Sequence, residues 1–341
     1  MIPERYSRQV LVDGVGEAGQ EAIANSKVVI IGLGALGSNV ANLLARAGVG
    51  ELYLVDRDFV DWTNLHRQVL YDEEDARKTI PKAIAAKKHL ERINSEISYQ
   101  VIVTDVNSSN IEEIVTGATL VVDGLDNLPT RALINEACVK HGIPWIHGTC
   151  IATYGCLATF IPGKTACFHC VYPDVTERTA VSDTCDTAGV LGPTASMVAS
   201  WEASEALRLI VGKQKNEVAT GLIFIELWEK SVQSIPIEQN PDCKVCGKRH
   251  FTLLEQPQQV FATSLCGRQA VQVVPPVSFQ IDFDNLAHGL GKIFRIEQNQ
   301  YLLKFYPGEY EVVLFRDGRA IIFGTTDVQT ARNIYGRYIG G

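Results

Sequence analysis

The chain has 341 residues, of which 46% are hydrophobic and 21% are charged. These values exclude a disordered or collagen-like chain, and the length suits one large domain plus a small one. Lys and Arg number 31 against 39 Asp and Glu, giving a formal charge of −8, which does not favour binding to nucleic acid. The charged N-terminal segment and the lack of a long apolar run predict neither a secretory signal nor a membrane span, so we expect a cytoplasmic protein.

Residues 27–56 have the pattern of a strand–helix–strand unit. The apolar run KVVII leads into a glycine turn, and a segment of helical periodicity then stops at Gly48 and Gly50 before a second strand that ends at Asp56. Helices are predicted next at 81–94, 111–115 and 128–141, and strands at 99–103, TLVVDGLD and PWIHGTC. Alternation of this kind predicts a Rossmann-like, doubly wound α/β fold with a mainly parallel sheet.

The sheet is expected to continue with antiparallel strands. The patterns at 151–162 and 222–237 are typical of such strands, and a helix is predicted between them at 193–211. A segment with one proline and three glutamines then predicts a linker at 254–261. The predicted domains are therefore 1–253 and 262–341.

The tail after the linker is predicted to be a small α+β domain. The run VLFRDGRAIIFG is typical of a β-hairpin that turns at Asp317 and Gly318. The following TTDVQTARNIYGRY predicts a helix that begins at Thr325 or Thr326. Nothing in these patterns assigns the tail a role.

A glycine motif, GxGxxG, marks the first nucleotide-binding feature. Gly32, Gly34 and Gly37 directly follow a strand and open a helix, where backbone NH groups and the helix dipole favour phosphate. Asp56 ends the next strand, where its carboxylate can accept from ribose hydroxyls. Dehydrogenases bind NAD in the same way, so an oxidoreductase is one alternative, and a glycine turn needed for packing alone is another.

A polar and cationic segment follows this unit and favours ATP over NAD. Asp58, Asn64, Arg67 and Gln68 lie in DRDFVDWTNLHRQVLY, and Lys82 begins the next predicted helix. A cation is unfavourable at a helix start, so Lys82 indicates an anionic partner, and a triphosphate would supply one. The alternative is that Arg67 and Lys82 are ordinary surface cations.

Two CxxC pairs indicate a metal site. Cys167 and Cys170 form one pair, and Cys243 and Cys246 form the other. Four thiolates suit a closed, tetrahedral and structural zinc site that ties distant parts of one fold together. A redox role for each pair is the alternative, and we interpret His169, inside the first pair, as a spacer.

Taken together, RYSRQ, GLGALGS, DRDFVDWTNLHRQ, PKA, DGLDN and the two CxxC pairs resemble the ubiquitin-activating-like adenylyltransferases of sulfur transfer, the ThiF/MoeB type. The resemblance covers residues 1–250. It implies adenylation of the C-terminal glycine carboxylate of a ubiquitin-like sulfur carrier, ThiS-like or MoaD-like, with release of pyrophosphate. The pathway implied is that of thiamine thiazole or of molybdopterin, and the motifs serve both. A sulfur donor such as a cysteine desulfurase is an implied partner.

The resemblance also implies roles for individual residues. Arg67 and Lys82 would hold the phosphates of ATP, with Asn64 and Gln68 helping to place them, and Asp126 would bind Mg²⁺. Arg8 would act on the nucleotide of the neighbouring subunit, which implies a homodimer. From the residues alone, Asp123 competes with Asp126, since both lie near the end of one strand. A non-catalytic nucleotide-binding scaffold would be expected to lack Arg67, Lys82 or Asp126, and all three are present.

Three further positions invite interpretation. By resemblance, Cys185 is the loop cysteine that attacks the acyl adenylate or pairs with a carrier thiocarboxylate, although its acidic neighbours would raise the pKa of the thiol. The tail lacks the CxxxxR-type active loop of a rhodanese domain, although the CGR sequence that begins at Cys266 invites the comparison, with a packed cysteine followed by a turn as the alternative. The terminal Gly340 and Gly341 match the ending of a sulfur carrier, and a frayed end is the alternative.

Overall fold

Two β-sheets organise the chain. The computed structural model describes residues 2–173, 188–212, 221–256, 261–265, 269–275 and 280–340, and the chain divides into units 1–256 and 257–341. This division falls within the predicted linker, of which 257–260 lie outside the described residues. Each unit has its own sheet and its own hydrophobic core.

The sheet of the first unit is mixed. Its described strands are β1 (Lys27–Ile31), β2 (Glu51–Val55), β3 (Ser98–Ile102), β4 (Leu120–Asp123), β5 (Trp145–Ile151), β6 (Tyr154–Phe160), β7 (Gly221–Glu226) and β8 (Ser231–Pro236). They lie in the order β3-β2-β1-β4-β5-β6-β7-β8. Strands β1 to β5 pair in parallel, and β6, β7 and β8 add antiparallel pairs. The predicted Rossmann-like sheet with an antiparallel extension is confirmed.

Helices cover both faces of this sheet. The described α-helices are α1 (Ser7–Val10), α2 (Gly16–Ala24), α3 (Ala35–Ala47), α4 (Glu73–Arg77), α5 (Lys82–Ile93), α6 (Ile111–Val115), α7 (Leu128–His141), α8 (Phe168–Val171) and α9 (Gly192–Val211). Alternate residues of β1 face opposite layers, because Ile30 lies against α3 whereas Val29 and Ile31 pack with α6 and α7. Burial on both faces explains why this strand is apolar from Val28 to Ile31.

The strand register brings the site residues to one edge. Ile31, at the end of β1, pairs with Val55 of β2 on one side and with Asp123 of β4 on the other. The glycine turn after β1 therefore lies between the segments that follow β2 and β4. In open α/β sheets, ligands bind at this carboxyl edge.

The second unit is the predicted small α+β domain. Its described strands are β9 (Phe261–Leu265), β10 (Ala270–Val274), β11 (Ile296–Gln298), β12 (Leu302–Phe305), β13 (Glu311–Phe315) and β14 (Ala320–Phe323), with helices α10 (Phe283–Leu290) and α11 (Val328–Tyr338). The antiparallel order is β11-β12-β13-β14-β10-β9. Strands β13 and β14 pair as the predicted hairpin.

The start of α11 differs from the prediction. Asp327, not Thr325 or Thr326, caps the helix, since its carboxylate accepts from the backbone NH of Thr330 at 2.7 Å. Thr325 instead stabilises the turn before the helix, because its hydroxyl oxygen accepts from the backbone NH of Asp327 at 3.0 Å. The Asp carboxylate takes the cap because it can accept from both the NH and the hydroxyl of Thr330.

Within the described ranges, no helix is both long enough and apolar enough to cross a membrane.

Candidate functional site

The glycine turn after β1 combines tight packing with one open position. Gly32 has φ of 89°, and a Cβ on Gly37 would lie 1.8 Å from the carbonyl oxygen of Gly32. Gly124, after β4, packs equally closely, because its Cβ would lie 2.4 Å from the same oxygen. A Cβ on Gly34, by contrast, would lie 3.8 Å from the carbonyl oxygen of Gly124 and 3.9 Å from the amide nitrogen of Gln68, its nearest neighbours. Gly32 and Gly37 are thus required by packing, whereas Gly34 leaves room over the backbone, as the approach of a phosphate requires.

Asp56 organises this turn from the end of β2. Its Oδ2 accepts from the backbone NH of Leu33 at 2.6 Å, and its Oδ1 accepts from the backbone NH of Asp58 at 2.7 Å. Burial raises the pKa of Asp56, and the charge of Lys82 opposes that rise. A carboxylate has about four acceptor positions, so Asp56 retains capacity for the ribose hydroxyls that the sequence predicts.

The segment after β2 lies over the turn. Asn64 is buried, and its side-chain oxygen accepts from the backbone NH of Asp61 in a capping box at a short 3-10 helix. Gln68 is also buried, with its amide nitrogen 3.9 Å from the position of a Cβ on Gly34. The Oε1 atom of Gln68 has no hydrogen-bond partner among the described residues. A buried amide next to the open glycine is suited to a polar ligand.

The two predicted phosphate cations differ in their surroundings. Lys82 begins α5 as predicted, but it is 6% exposed and donates to Oδ2 of Asp58 at 2.9 Å. The interpretation of Lys82 as a surface cation is therefore wrong, because a protein carboxylate already holds its ammonium group. Arg67 is partly exposed, and its guanidinium donates to the backbone carbonyl of Thr63 at 2.7 Å.

Asp126 lies exposed in the loop between β4 and α7. Arg57, which the sequence analysis did not select, donates to Asp105 at 2.7 Å, and the carboxylates of Asp105, Asp126 and Asp58 together raise its pKa against the effect of burial. Arg57 therefore belongs to the same charged edge. Its position directly after Asp56, the predicted ribose-binding residue, was the feature of the sequence that could have identified Arg57 as a site residue.

The remaining predicted residues of the reaction are Arg8 and Cys185. Arg8 is exposed in α1, and within the described ranges no hydrogen bond connects it to the other predicted site residues. Cys185 lies outside the described residues, as do Cys266 and Gly341.

A buried polar cluster lies beneath Asp126. Oδ2 of Asp123 accepts from Nε of Arg131 at 2.8 Å and from Nδ1 of His147 at 2.7 Å. Burial would raise the pKa of Asp123, but Arg131 and the hydrogen bonds from His147 and Leu125 hold it below its usual range. Asp123 is thus committed to internal contacts, which leaves Asp126 as the accessible carboxylate of the pair.

Two further members of this cluster, His147 and Glu202, have pKa values shifted towards the neutral form. Burial, with the nearby charge of Arg131, lowers the pKa of His147. Glu202 of α9 is fully buried, and neither of its oxygens has a hydrogen-bond partner in the described part of the chain. Burial, together with the charge of Asp123, raises the pKa of Glu202 well above its usual range. Sequence analysis missed Arg131, His147 and Glu202 because no local pattern joins them.

The four cysteines of the CxxC pairs lie together. The Sγ–Sγ distances are 3.9 Å between Cys167 and Cys170, 3.7 Å between Cys167 and Cys243, and 3.5 Å between Cys170 and Cys246. A zinc ion with Zn–S bonds of about 2.3 Å requires sulfur separations of about 3.8 Å in a tetrahedron. Asn135 of α7 supports the cluster by donating to Cys167 Sγ at 3.6 Å. The geometry therefore fits zinc, and His169 is not one of the grouped ligands.

The fold and the edge define a nucleotide-binding α/β protein: a glycine turn with one open position, an acidic strand end and a cationic segment meet at the carboxyl edge of a Rossmann-like sheet. The chain belongs to the ThiF family, which residues 6–245 match. Membership of this family confirms the predicted resemblance. It does not favour the dehydrogenase alternative.

Similar proteins support the same class. The chain is 40% identical over 339 residues to a protein of Bacillus subtilis (strain 168) named "Sulfur carrier protein ThiS adenylyltransferase", covering 98% of this chain and 99% of that protein. It is 38% identical over 246 residues to the "SAMP-activating enzyme E1" of Haloferax volcanii, covering 72% of this chain and 89% of that protein. A crystal structure of E. coli MccB with ATP is 28% identical, with a TM-score of 0.61, covering 72% of this chain and 75% of that one.

Proposed function

We propose that this chain is an adenylyltransferase that uses ATP and Mg²⁺ to activate the C-terminal glycine carboxylate of a ubiquitin-like sulfur carrier. The carboxylate attacks the α-phosphate, an acyl adenylate forms and pyrophosphate leaves. The observation that carries this proposal is the 40% identity, over almost the whole chain, to a ThiS adenylyltransferase. The open backbone at Gly34, and the charge of Lys82 acting on Asp56 at the same edge, supply the physical support.

In this proposal the reaction depends on bringing anions together. The backbone at Gly34 receives the phosphates, Asp56 accepts from the ribose, and Arg67 and Lys82 neutralise the developing negative charge. The ammonium group of Lys82 is held at 2.9 Å from Asp58, so it is placed before the nucleotide arrives and little reorganisation is needed. The buried amide of Gln68 supplies polar contacts next to Gly34, and Asn64 supports the same segment.

Asp126 is proposed as the protein ligand of Mg²⁺. This ion is usually bound by one or two carboxylates together with substrate phosphates, and Asp126 is exposed at the edge where the phosphates would lie. When bound, the ion would offset the negative charge of the phosphates. We place Arg8 at the nucleotide of a neighbouring subunit in a homodimer, in accordance with its exposed position.

The cysteine cluster is proposed to hold a structural zinc ion. It joins α8 to a segment 76 residues further along the chain, and all four ligand positions are filled by thiolates, which leaves no open position for substrate. Cys243 packs with Val139 and Val245 in a small hydrophobic cluster. Zinc here would hold the end of the antiparallel extension against α7 and α8.

The carrier is proposed to be ThiS-like, with a C-terminal Gly-Gly, because a relative that aligns with 98% of this chain is named for ThiS. The pathway would then be that of the thiamine thiazole, in the cytoplasm, with a sulfur donor such as a cysteine desulfurase as a further partner. Cys185 remains the proposed thiol for a covalent step with the activated carrier.

Exchange of labelled pyrophosphate into ATP tests this function. We expect exchange when a ThiS-like carrier is added, and none with the same carrier lacking its last glycine. Exchange with a MoaD-like carrier instead would redirect the proposal to the molybdopterin pathway. Nucleotide binding without exchange, with either carrier, would favour a non-catalytic scaffold.

A further inference from the structure

The loop that carries Asp126 is fixed at its beginning by the glycine turn. Gly124, its first residue, approaches the turn so closely that a Cβ there would lie 2.8 Å from the backbone nitrogen of Gly37. The backbone NH of Gly124 also donates to the carbonyl of Ile31 at 2.8 Å. The loop therefore leaves β4 in one position relative to the proposed phosphate site.

The middle of the same loop is fixed by a buried arginine. Arg131, in α7, donates through Nε to Asp123 at 2.8 Å and through Nη2 to the carbonyl oxygens of Leu125 at 2.5 Å and Gly148 at 2.9 Å. Asp123 in turn accepts from the backbone NH of Leu125 at 2.8 Å. Both polar backbone groups of Leu125, the residue immediately before Asp126, are thus held by one buried ion pair.

The far end of the loop is fixed by the start of α7. Asn127, immediately after Asp126, caps this helix by accepting from the backbone NH of Thr130 at 3.0 Å. Asp126 is consequently the residue left exposed between two anchored neighbours. Its Oδ1 atom accepts from the side-chain nitrogen of Asn127 at 3.5 Å.

The charges in the cluster balance around this arrangement. Burial lowers the pKa of His147 and raises the pKa of Glu202, which favours the neutral form of each, and Asp123 and Arg131 form the buried ion pair of the cluster. A buried ion pair of this kind is weak evidence for stability, since apolar residues of similar volume often fold as well, and fixing one geometry is a better reason for it. The geometry that this pair fixes is that of the Asp126 loop.

We propose that Arg131 and Asp123 are positioning residues for Asp126: the buried ion pair holds the loop so that the Asp126 carboxylate meets the metal–nucleotide complex. The proposal deepens the function proposed above and rests on Asp126 binding Mg²⁺. Neither residue contacts the substrate. They act through the backbone of Leu125.

The test uses two variants and a direct binding measurement. Arg131→Lys keeps the positive charge but cannot reach Asp123 and Leu125 together, and Asp123→Asn keeps the volume while weakening the attraction to Arg131. Binding of Mn²⁺, in the presence of a non-hydrolysable ATP analogue, is followed by electron paramagnetic resonance of the intact protein. Analogue binding in EDTA is measured separately, and zinc content and tryptophan fluorescence report on folding.

Removal of groups that orient a metal ligand typically costs about 10- to 100-fold in metal affinity. We expect Arg131→Lys to weaken Mn²⁺ binding about tenfold while metal-free binding of the analogue changes less than about twofold, with Asp123→Asn changing both in the same directions. Unchanged Mn²⁺ affinity in a folded variant would overturn the proposal. So would an equal loss of analogue binding in EDTA, or failure of both variants to fold, since each indicates a general structural role.

Asp126→Asn separates this proposal from the proposed function. If Asp126→Asn weakens Mn²⁺ binding and Arg131→Lys does not, the positioning role is wrong while the assignment of Asp126 stands. If Asp126→Asn has no effect on Mn²⁺ binding, the assignment of Asp126 fails, and the positioning role fails with it.

Discussion

Replacing Glu202 with glutamine should remove a pH-dependent weakness of the first unit. The carboxyl group of Glu202 is fully buried, and burial, together with the charge of Asp123, raises its pKa well above the usual range. The native protein therefore keeps this proton at a pH where the unfolded chain, with a glutamate pKa of about 4.3, has released it. Glutamine cannot ionise in either state, so the variant lacks this linkage.

The sign follows from proton counting. Above the unfolded pKa and below the raised folded pKa, the native state binds one proton more than the unfolded state, so the free energy of unfolding falls as the pH rises. The slope is up to about 1.4 kcal/mol per pH unit. Above about pH 5.5, the variant should therefore gain stability relative to the parent as the pH rises, for as long as the native protein keeps the Glu202 proton.

The assay is urea unfolding followed by tryptophan fluorescence. All four tryptophans, at positions 62, 145, 201 and 228, lie in the first unit, so the signal reports on the unit that contains Glu202. The charged neighbours Arg131 and Asp123 are present in both proteins, and their own effects cancel in the difference. The difference in the pH dependence of the free energy of unfolding therefore reports on the proton bound at residue 202.

Glu205→Gln is the matched control. It makes the same change in the same helix, but Glu205 is partly exposed and forms an ion pair with Arg208, so the variant should gain nothing relative to the parent as the pH rises. A difference between Glu202→Gln and the parent that stays constant across this pH range would refute the reasoning. It would mean that Glu202 is ionised in the native protein.

Four further outcomes are expected. Gly37→Ala should destabilise the first unit by about 1–3 kcal/mol or more, because its Cβ would lie 1.8 Å from a backbone carbonyl oxygen. Gly34→Ala should fold normally and lower ATP affinity about tenfold, or by about 1.4 kcal/mol, measured by isothermal titration calorimetry. Cys243→Ser should reduce the zinc content from one ion per chain to near none, measured by mass spectrometry of the metal, whereas Cys138→Ala should retain zinc. Lys82→Met should lower pyrophosphate exchange about a hundredfold.

Specific results would contradict three of these predictions, those for Gly34→Ala, Cys243→Ser and Lys82→Met. Equal ATP affinity of the Gly34→Ala variant and the parent would mean that the open position does not receive the phosphates. Full zinc content after Cys243→Ser would show that the four thiolates do not act as one site. Exchange at the parental rate after Lys82→Met would remove Lys82 from the proposed chemistry.

The fold was predictable where the pattern was local. The run from Val28 to Ile31 is apolar at every position because this part of β1 is buried on both faces. The predicted helix at 128–141 agrees with α7 because Asn127 and Gly142 mark its two ends. The cap of α11 was not predicted, since threonine and aspartate are both good caps and only the folded geometry selects Asp327.

The candidate site was predictable only in part. The glycine turn, the acidic strand end and the cysteine pairs have fixed local spacing, so their residue types could be recognised. The pairing of Lys82 with Asp58 spans 24 positions, and the cluster around Asp123 joins residues from β4, α7, β5 and α9. Contacts of this range depend on the tertiary fold, and no spacing rule along one sequence encodes them.

Intact mass spectrometry of the carrier tests directly whether this protein adenylates it. Purified protein is mixed with ATP, Mg²⁺ and a ThiS-like carrier ending in Gly-Gly, and the mixture is analysed before the adenylate hydrolyses. We expect the carrier to become heavier by one AMP group with the parent protein, and to show no mass increase with Lys82→Met. An unmodified carrier in the presence of folded, zinc-containing and ATP-binding parent protein would contradict it.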